Sequence, residues 1–117
     1  MGRLTTHILD TAHGVPAAGM AITLLYQDAD GWQALKAVSS NADGRCDAPL
    51  LEAAAFRHGR YRLVFAAADY FAEMGVRQTD PAFLDTVVIE FGISDPSQHY
   101  HVPLLISPFG YSTYRGS

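Results

Sequence analysis

Short stretches in which apolar and polar residues alternate recur along the chain, a pattern that is typical of half-buried β-strands. The clearest alternation covers residues 99–106. One face of this stretch is apolar or aromatic throughout: Tyr100, Val102, Leu104 and Ile106. Because such a face belongs in the core, we expect His101, on the opposite face, to point toward solvent, a partner chain or a ligand.

Similar patterns predict further strands with turns between them. Alternation and β-branched composition indicate strands over residues 4–11, 20–27, 32–40, 61–67 and 85–93, and an extended segment over residues 111–115. Asp-Gly pairs at residues 30–31 and 43–44 indicate two turns, and proline and glycine within residues 107–110 indicate a third. On the first strand His7 shares a face with Leu9, so we do not expect that face to be exposed to solvent alone.

Two stretches depart from the alternation. Residues 68–75 predict a helix of about two turns, with Asp69 as the N-cap and Gly75 as the C′ residue. Residues 49–58 have helical propensity but are short enough to form a loop with one helical turn, and both alternatives stay open. Seven or eight short strands and one helix predict an all-β fold, an antiparallel β-sandwich, in a single domain covering residues 1–117.

Composition narrows the class of partners. The net charge of −4 leaves no basic footprint, so nucleic acid is not an expected partner. The single cysteine, Cys46, excludes an internal disulfide and permits a reducing compartment. The start of the chain lacks a signal-peptide pattern and no stretch approaches transmembrane length, so we expect a cytoplasmic location and no membrane partner.

Four features have side chains suited to chemistry: His7, Arg45, the pair His99-x-His101, and the terminal residues Tyr114, Arg115, Gly116 and Ser117. Each also has a structural explanation. A single histidine in a strand is more often structural than catalytic, an arginine after a turn is usually solvated, and a chain end is usually frayed. This end, however, is dense in aromatic and charged groups without a flexible polar spacer, which favours a docked or functional terminus.

A zinc site is the alternative that the histidine pair raises. Alternate residues of a strand share a face, so His99 and His101 could ligate one zinc ion if a third ligand came from elsewhere. No spacing selects that ligand among the other histidines or Cys46, so a metal is not expected. The chain also lacks a Gly-x-Ser-x-Gly nucleophile motif, a phosphate loop and a Rossmann fingerprint.

The two ends of the chain resemble a known family. The stretches that carry the resemblance are Leu4-Thr5-Thr6-His7-Ile8-Leu9-Asp10-Thr11 followed by Gly14-x-Pro16-Ala17, then Tyr100-His101-Val102-Pro103-Leu104-Leu105, and finally Tyr111-Ser112-Thr113-Tyr114-Arg115-Gly116-Ser117. They are similar to the 5-hydroxyisourate hydrolases, the transthyretin-like proteins of purine catabolism. The terminal Tyr-Arg-Gly-Ser is that family's hallmark and separates it from the hormone carrier transthyretin.

The resemblance covers the whole chain and implies a fold, an assembly and a reaction. The implied fold is a sandwich of two four-stranded sheets with a short helix after the fifth strand, and the implied assembly is a homotetramer built as a dimer of dimers. The implied reaction is hydrolysis of 5-hydroxyisourate to 2-oxo-4-hydroxy-4-carboxy-5-ureidoimidazoline in urate degradation. Neither a cofactor nor a metal is implied.

By motif match, the site residues would be His7, Arg45, His101 and Ser117 for catalysis, and His7, Arg45, Tyr114 and Arg115 for substrate binding. We hypothesise that His7 and His101 share the base and acid work, with the assignment of each left open. Arg45 would stabilise the oxyanion, and Ser117 would position water or a histidine. The alternative function is a transthyretin-like small-molecule carrier that performs no chemistry.

Overall fold

The computed structural model describes residues 2–116, which form two β-sheets packed around a common core, with one short α-helix. The described strands are Arg3–Asp10 (β1), Val15–Pro16 (β2), Ala21–Asp28 (β3), Gly31–Ser39 (β4), Leu51–Glu52 (β5), Gly59–Phe65 (β6), Val87–Ile93 (β7), Tyr100–Ser107 (β8) and Gly110–Thr113 (β9). One sheet has the order β2-β1-β8-β9, with β5 also paired to β1, and the other has the order β4-β3-β6-β7. The predicted all-β sandwich is therefore confirmed.

The sheet that contains β1 differs in two details from the expected arrangement. The two-residue strands β2 and β5 both pair with β1, so this sheet has five strands where four were expected. Strands β1 and β8 run parallel, whereas the other described pairs are antiparallel. These two strands lie at opposite ends of the chain, so no hairpin turn dictates their relative direction.

The parallel pairing of β1 with β8 places the candidate residues on one surface. The alternate residues of β8 that were expected in the core, from Tyr100 to Ile106, are at most 5% exposed. The other face of the two strands points away from the core. In register, Thr5 lies beside His101, and His7 lies beside Pro103. The outer surface of this sheet therefore carries both histidines.

The helix α1 spans Ala67–Glu73 and confirms one predicted cap but not the other. Gly75 has φ of +79°, as expected for a left-handed C′ residue. Asp69 as N-cap is wrong, because the N-cap is Ala66 and Asp69 lies in the first turn. The Ala68 N–H instead donates to the backbone carbonyl of Asp85 at 2.9 Å, so a neighbouring loop satisfies a donor that a cap would otherwise bind.

Residues 49–58 contain strand β5 followed by a 3₁₀ turn at Ala53–Ala55. Leu50, Leu51 and Phe56 from this segment are buried in the core. The segment is therefore closer to a loop with one helical turn than to a regular helix, and its buried apolar residues anchor it at both ends. Within residues 2–116, no helix has the length and apolar character that crossing a membrane requires.

Candidate active site

The outer surface of β1 and β8 forms the floor of an open cleft of about 540 Å³. Its lining comes from β1, from the segment after the second Asp-Gly turn, and from the start of β8: Arg3, Thr5, Arg45, Cys46, Asp47, Pro49, His99 and His101 are among these residues. Histidine, arginine and carboxylate groups thus converge on one concavity, which is the arrangement that acid–base chemistry requires.

His7 is held by the loop that carries Arg45. Its Nε2 atom lies 2.9 Å from the backbone carbonyl oxygen of Asp43, and the backbones of His7 and Arg45 form an antiparallel β-bridge. A carbonyl oxygen can only accept, so Nε2 carries the hydrogen of this bond. In the neutral ring, Nδ1 of His7 is therefore the nitrogen that is free to accept a proton.

The 41–45 loop is organised by the side chain of Asn41. Its Oδ1 atom accepts hydrogen bonds from the backbone N–H groups of Asp43 at 2.9 Å and Arg45 at 3.1 Å. Its Nδ2 atom donates to the Asp47 carboxylate at 2.9 Å. One side chain therefore fixes both the carbonyl that binds His7 and the backbone from which the Arg45 side chain extends.

Gly44 brings this loop against β1. The Ile8 N–H donates to the Gly44 carbonyl at 2.8 Å, and a Cβ atom at position 44 would collide with the Ile8 carbonyl oxygen. Gly44 also has φ of +74°. Both its backbone conformation and its close approach to β1 require glycine here.

His101 is half-buried and lies between β1 and the C-terminal tail. Its Nδ1 atom is 2.8 Å from the Thr5 hydroxyl oxygen. Burial lowers the pKa of His101 below its ordinary value, and the nearby Arg45 and His7 act in the same direction. The neutral imidazole, which is the form that can take a proton from water, is therefore favoured near neutral pH.

The C-terminal tail folds back onto His101. The Gly116 N–H donates to the His101 carbonyl at 2.7 Å, and these two residues form a β-bridge. The Arg115 guanidinium lies 3.9 Å above the centre of the Tyr100 ring. It also donates to the Gln98 side-chain oxygen at 3.1 Å and to the His99 carbonyl at 3.3 Å. These contacts confirm that the terminus is docked as far as residue 116.

The predicted site residues separate into three groups. His7 and Arg45 pair as a β-bridge, and Arg45 and His101 line the same cleft, whereas His7 is not among the residues that line it. Tyr114 and Arg115 instead border a separate cavity of about 220 Å³ beside β7, so their substrate-binding role stays a prediction. Ser117 lies outside the described residues, and its catalytic role likewise stays a prediction.

Sequence reasoning missed two residues that hold the site together, Thr5 and Asn41. The signals were present: Thr5 alternates onto the face of His7, and Asn41 opens an Asp-Gly turn, where an asparagine side chain often binds the following backbone. What the pattern could not supply was the register that sets Thr5 beside His101.

The other nucleophile and metal candidates gain no support from the described residues. Burial, followed by the charge of Asp47, raises the pKa of the Cys46 thiol, so its reactive thiolate form is disfavoured. Within residues 2–116, no three histidine, cysteine or acidic side chains are grouped so as to hold a metal ion. The chemistry that the cleft offers is proton transfer by imidazoles beside a guanidinium.

Comparisons with known proteins identify relatives of this chain. Residues 4–116 match the model of the HIUase/Transthyretin family. The chain is 61% identical over 116 residues to the 5-hydroxyisourate hydrolase of Mesorhizobium japonicum, covering 99% of this chain and 93% of that protein.

Two solved structures share the fold. The structure of (S)-allantoin synthase is 42% identical with a TM-score of 0.94, covering 99% of this chain, which spans only 44% of that longer chain. Sea bream transthyretin in complex with thyroxine is 28% identical with a TM-score of 0.87, covering 97% of this chain and 94% of that one. From the family match and the identity to its relatives, the chain belongs to the HIUase/transthyretin family.

Proposed function

We propose that this protein hydrolyses 5-hydroxyisourate to 2-oxo-4-hydroxy-4-carboxy-5-ureidoimidazoline, as an enzyme of urate degradation. The observation that carries the proposal is that Arg45 and His101 line one cleft, with His7 held against the Arg45 loop, in a chain 61% identical to a 5-hydroxyisourate hydrolase. The cleft of about 540 Å³ is large enough for a small heterocycle.

The reaction begins with attack of water on a carbonyl of the six-membered ring. His101 takes one proton from the water as its oxygen bonds to the carbonyl carbon. The carbon–nitrogen bond of the ring then breaks, and the His101 imidazolium returns the proton to the departing nitrogen. One histidine can serve as base and then acid within the same turnover.

His7 and Arg45 complete this scheme. His7 accepts a hydrogen bond from the water through Nδ1, the ring nitrogen that the Asp43 carbonyl leaves free. Arg45 binds the oxygen on which negative charge develops, and its permanent positive charge stabilises that charge in the transition state. The same charge favours the neutral form of His101 before the reaction starts.

The tail contributes by fixing His101. Arg115 anchors the tail to Tyr100 and to the His99 carbonyl, and Gly116 then pairs with His101. In this proposal Tyr114 and Arg115 shape the pocket, and Ser117 positions water or a histidine by its hydroxyl or its carboxylate.

A homotetramer is part of the proposal. Strands β7 and β9 lie at the ends of their sheets among the described strands. Several large apolar side chains on or near these edges are exposed: Val88 (45%), Tyr111 (47%), Tyr114 (62%) and Phe109 (71%). Exposed strand edges with apolar side chains are suited to pairing with other copies. The open cleft would then be closed by a second dimer. The cytoplasmic location stays a prediction.

The competing function is a carrier that binds a small molecule without altering it, and sea bream transthyretin is a structural relative solved in complex with thyroxine. The residues of the cleft favour the hydrolase, because a histidine pair and an arginine around polar space suit proton transfer better than binding of an apolar hormone. The two functions differ in whether the ligand is returned unchanged.

The test is the ultraviolet decay of 5-hydroxyisourate generated in place by urate oxidase, followed with and without the protein. The hydrolase proposal predicts faster decay that scales with protein concentration and yields the ureidoimidazoline carboxylate. Unchanged decay, with recovery of intact ligand from the protein, would contradict the proposal and support the carrier.

A further inference from the structure

Thr5 is a cleft residue that neither the motifs nor the proposed mechanism assigns a role. In the parallel register of β1 and β8 it lies directly beside His101. Its hydroxyl oxygen is 2.8 Å from His101 Nδ1, although 96 positions separate the two residues in sequence. The contact is half-buried and faces the cleft. A threonine so placed determines how the imidazole is held.

The direction of this hydrogen bond decides which nitrogen of His101 is a base. A hydroxyl can donate or accept, so the side-chain contact alone leaves the tautomer open. The proposed role of His101 resolves it: Thr5 occupies Nδ1, so Nε2 is the nitrogen left to take the proton of the reacting water. Nε2 can do so only with a free lone pair, which places the hydrogen of the neutral ring on Nδ1. The ring therefore donates its Nδ1–H to the Thr5 hydroxyl.

We infer that Thr5 is a positioning residue that holds His101 in the Nδ1–H tautomer, so that the lone pair of Nε2 is directed to the reacting water. The inference rests on the proposed hydrolase function. His7 has the opposite tautomer, because the Asp43 carbonyl binds its Nε2 hydrogen. The two rings thus present different nitrogens as proton acceptors.

A hydroxyl suits this position better than a carboxylate would. The charged and titratable groups that act on His101 are Arg45 from the loop and His7 from β1. Arg3, Asp47 and His99 also line the cleft. A carboxylate at position 5 would raise the pKa of His101 and favour the imidazolium, which cannot accept a proton. The neutral hydroxyl fixes the ring and keeps it a base.

A matched control is available where the β1 region meets β8. The Thr11 hydroxyl donates to the Ile106 carbonyl at 3.1 Å, so it also links the β1 region to β8, but it is not part of the cleft lining. Replacing Thr11 with valine removes the same chemical group, a hydroxyl that links the β1 region to β8. An effect confined to position 5 is therefore specific to His101.

The first measurement is nitrogen NMR of the His101 ring in the substrate-free protein. We expect the neutral wild-type ring to be mainly Nδ1–H. In Thr5→Val we expect a shift toward Nε2–H, the form that dominates in an unrestrained neutral histidine. Thr5→Ser should retain the wild-type tautomer, and Thr11→Val should not change it.

The second measurement is the pH profile of kcat/KM. Thr5→Val removes an acceptor of the imidazolium N–H, so the His101 pKa falls and the acid limb moves to lower pH by about half to one unit. We expect kcat to fall roughly 10- to 100-fold with little change in KM. Thr5→Ser should retain the wild-type kcat and the wild-type position of the acid limb. Thr11→Val should leave the acid limb at its wild-type pH.

A wild-type ring in the Nε2–H form, or an unchanged tautomer in folded Thr5→Val, would overturn the inference. Because the NMR measurement needs no substrate, it decides this point even if the protein proves not to hydrolyse 5-hydroxyisourate. If Thr5→Val fails to fold, the wild-type tautomer is decisive by itself: Nδ1–H supports the inference and Nε2–H contradicts it.

Discussion

At the scale of single residues, close packing around the His101 ring constrains its position as its hydrogen bonds do. A Cβ atom built on Gly116 would lie 2.8 Å from His101 Cδ2 and 3.2 Å from its Cβ. The φ of Gly116 is not in the left-handed region, so its backbone does not by itself require glycine. The missing side chain at position 116 therefore leaves room for the imidazole.

Gly116→Ala should consequently displace the His101 ring or the tail. We expect kcat/KM to fall by roughly 10- to 100-fold, since small misplacements of a catalytic group have effects of this size. The free energy of unfolding should change by less than about 1 kcal/mol, because Gly116 is only partly buried and lies outside the core. Steady-state kinetics and urea unfolding measure the two effects.

Gly110→Ala in the same hairpin is the control, because the nearest atom to its added Cβ is Ser107 Oγ at 4.0 Å. An equal loss of activity in both variants would show that the ring contact is not responsible.

A second polar cluster, centred on Asp10, is structural. Its carboxylate is buried and accepts from the Tyr70 hydroxyl at 2.8 Å, the His13 backbone at 3.0 Å and the His13 ring at 2.6 Å. Burial opposes ionisation, but the hydrogen bonds from Tyr70 and His13 outweigh it and lower the pKa of the carboxyl. The cluster ties the end of β1 to α1.

Asp10→Asn should therefore destabilise the fold by about 2–3 kcal/mol at neutral pH. Because folding lowers the Asp10 pKa, its contribution is present above the unfolded value near 4 and is lost as pH falls through the folded value. The difference in unfolding free energy between wild type and variant should shrink below about pH 4, as measured by denaturant titrations. Asp30→Asn, at an exposed carboxyl, should change stability little, and a pH-independent difference for Asp10→Asn would contradict this account.

At the scale of elements, the 41–45 loop connects the histidine and arginine parts of the site. Asn41 binds two backbone N–H groups of the loop, and the loop in turn binds His7. A substitution at residue 41 should therefore disturb the site without disturbing the packing of the core.

Asn41→Ala should lower kcat/KM by about 10-fold or more through loss of Arg45 and His7 orientation, with destabilisation of about 1 kcal/mol. Steady-state kinetics measures the loss of activity, and thermal unfolding measures the destabilisation. Asp28→Ala is the matched control, since Asp28 binds the Asp30 N–H at 2.8 Å in the other Asp-Gly turn. If both variants lost activity equally, loop order at the site would not be the cause.

The elements themselves were largely predictable. Each strand of four or more residues begins and ends within a residue or two of its predicted position, because alternation reports burial directly. The site was predictable in part: the family resemblance selected His7, Arg45 and His101, and the structure pairs His7 with Arg45 and places Arg45 and His101 on one cleft, while their catalytic roles stay a prediction. The Asp69 cap was wrong because a distant carbonyl, that of Asp85, took its place. The parallel register of β1 and β8, which gives Thr5 its role, depends on tertiary packing that local pattern does not encode.

At the scale of the whole molecule, the sandwich exposes the functional surface of one sheet and the edges of both. The cleft on the β1–β8 surface is open, and Val88 on β7 is 45% exposed. The proposed tetramer would cover the β7 and β9 edges. Assembly and activity are thus expected to be linked.

Val88→Glu should weaken self-association by introducing a charge at the β7 edge, giving smaller species in sedimentation velocity. Leu35→Glu on β4, where the native side chain is 38% exposed, is the control and should sediment like the wild type. A wild-type protein that sediments as a fully active monomer would contradict the tetramer.

The measurement that tests the central claim most directly is the kcat/KM for freshly generated 5-hydroxyisourate of His101→Asn, beside wild type and His58→Asn. His58 is an exposed histidine that lies outside the cleft lining. We predict that His101→Asn, folded by circular dichroism, loses about two to three orders of magnitude, while His58→Asn remains active. Wild-type turnover in folded His101→Asn would contradict the assignment of hydrolysis to this cleft.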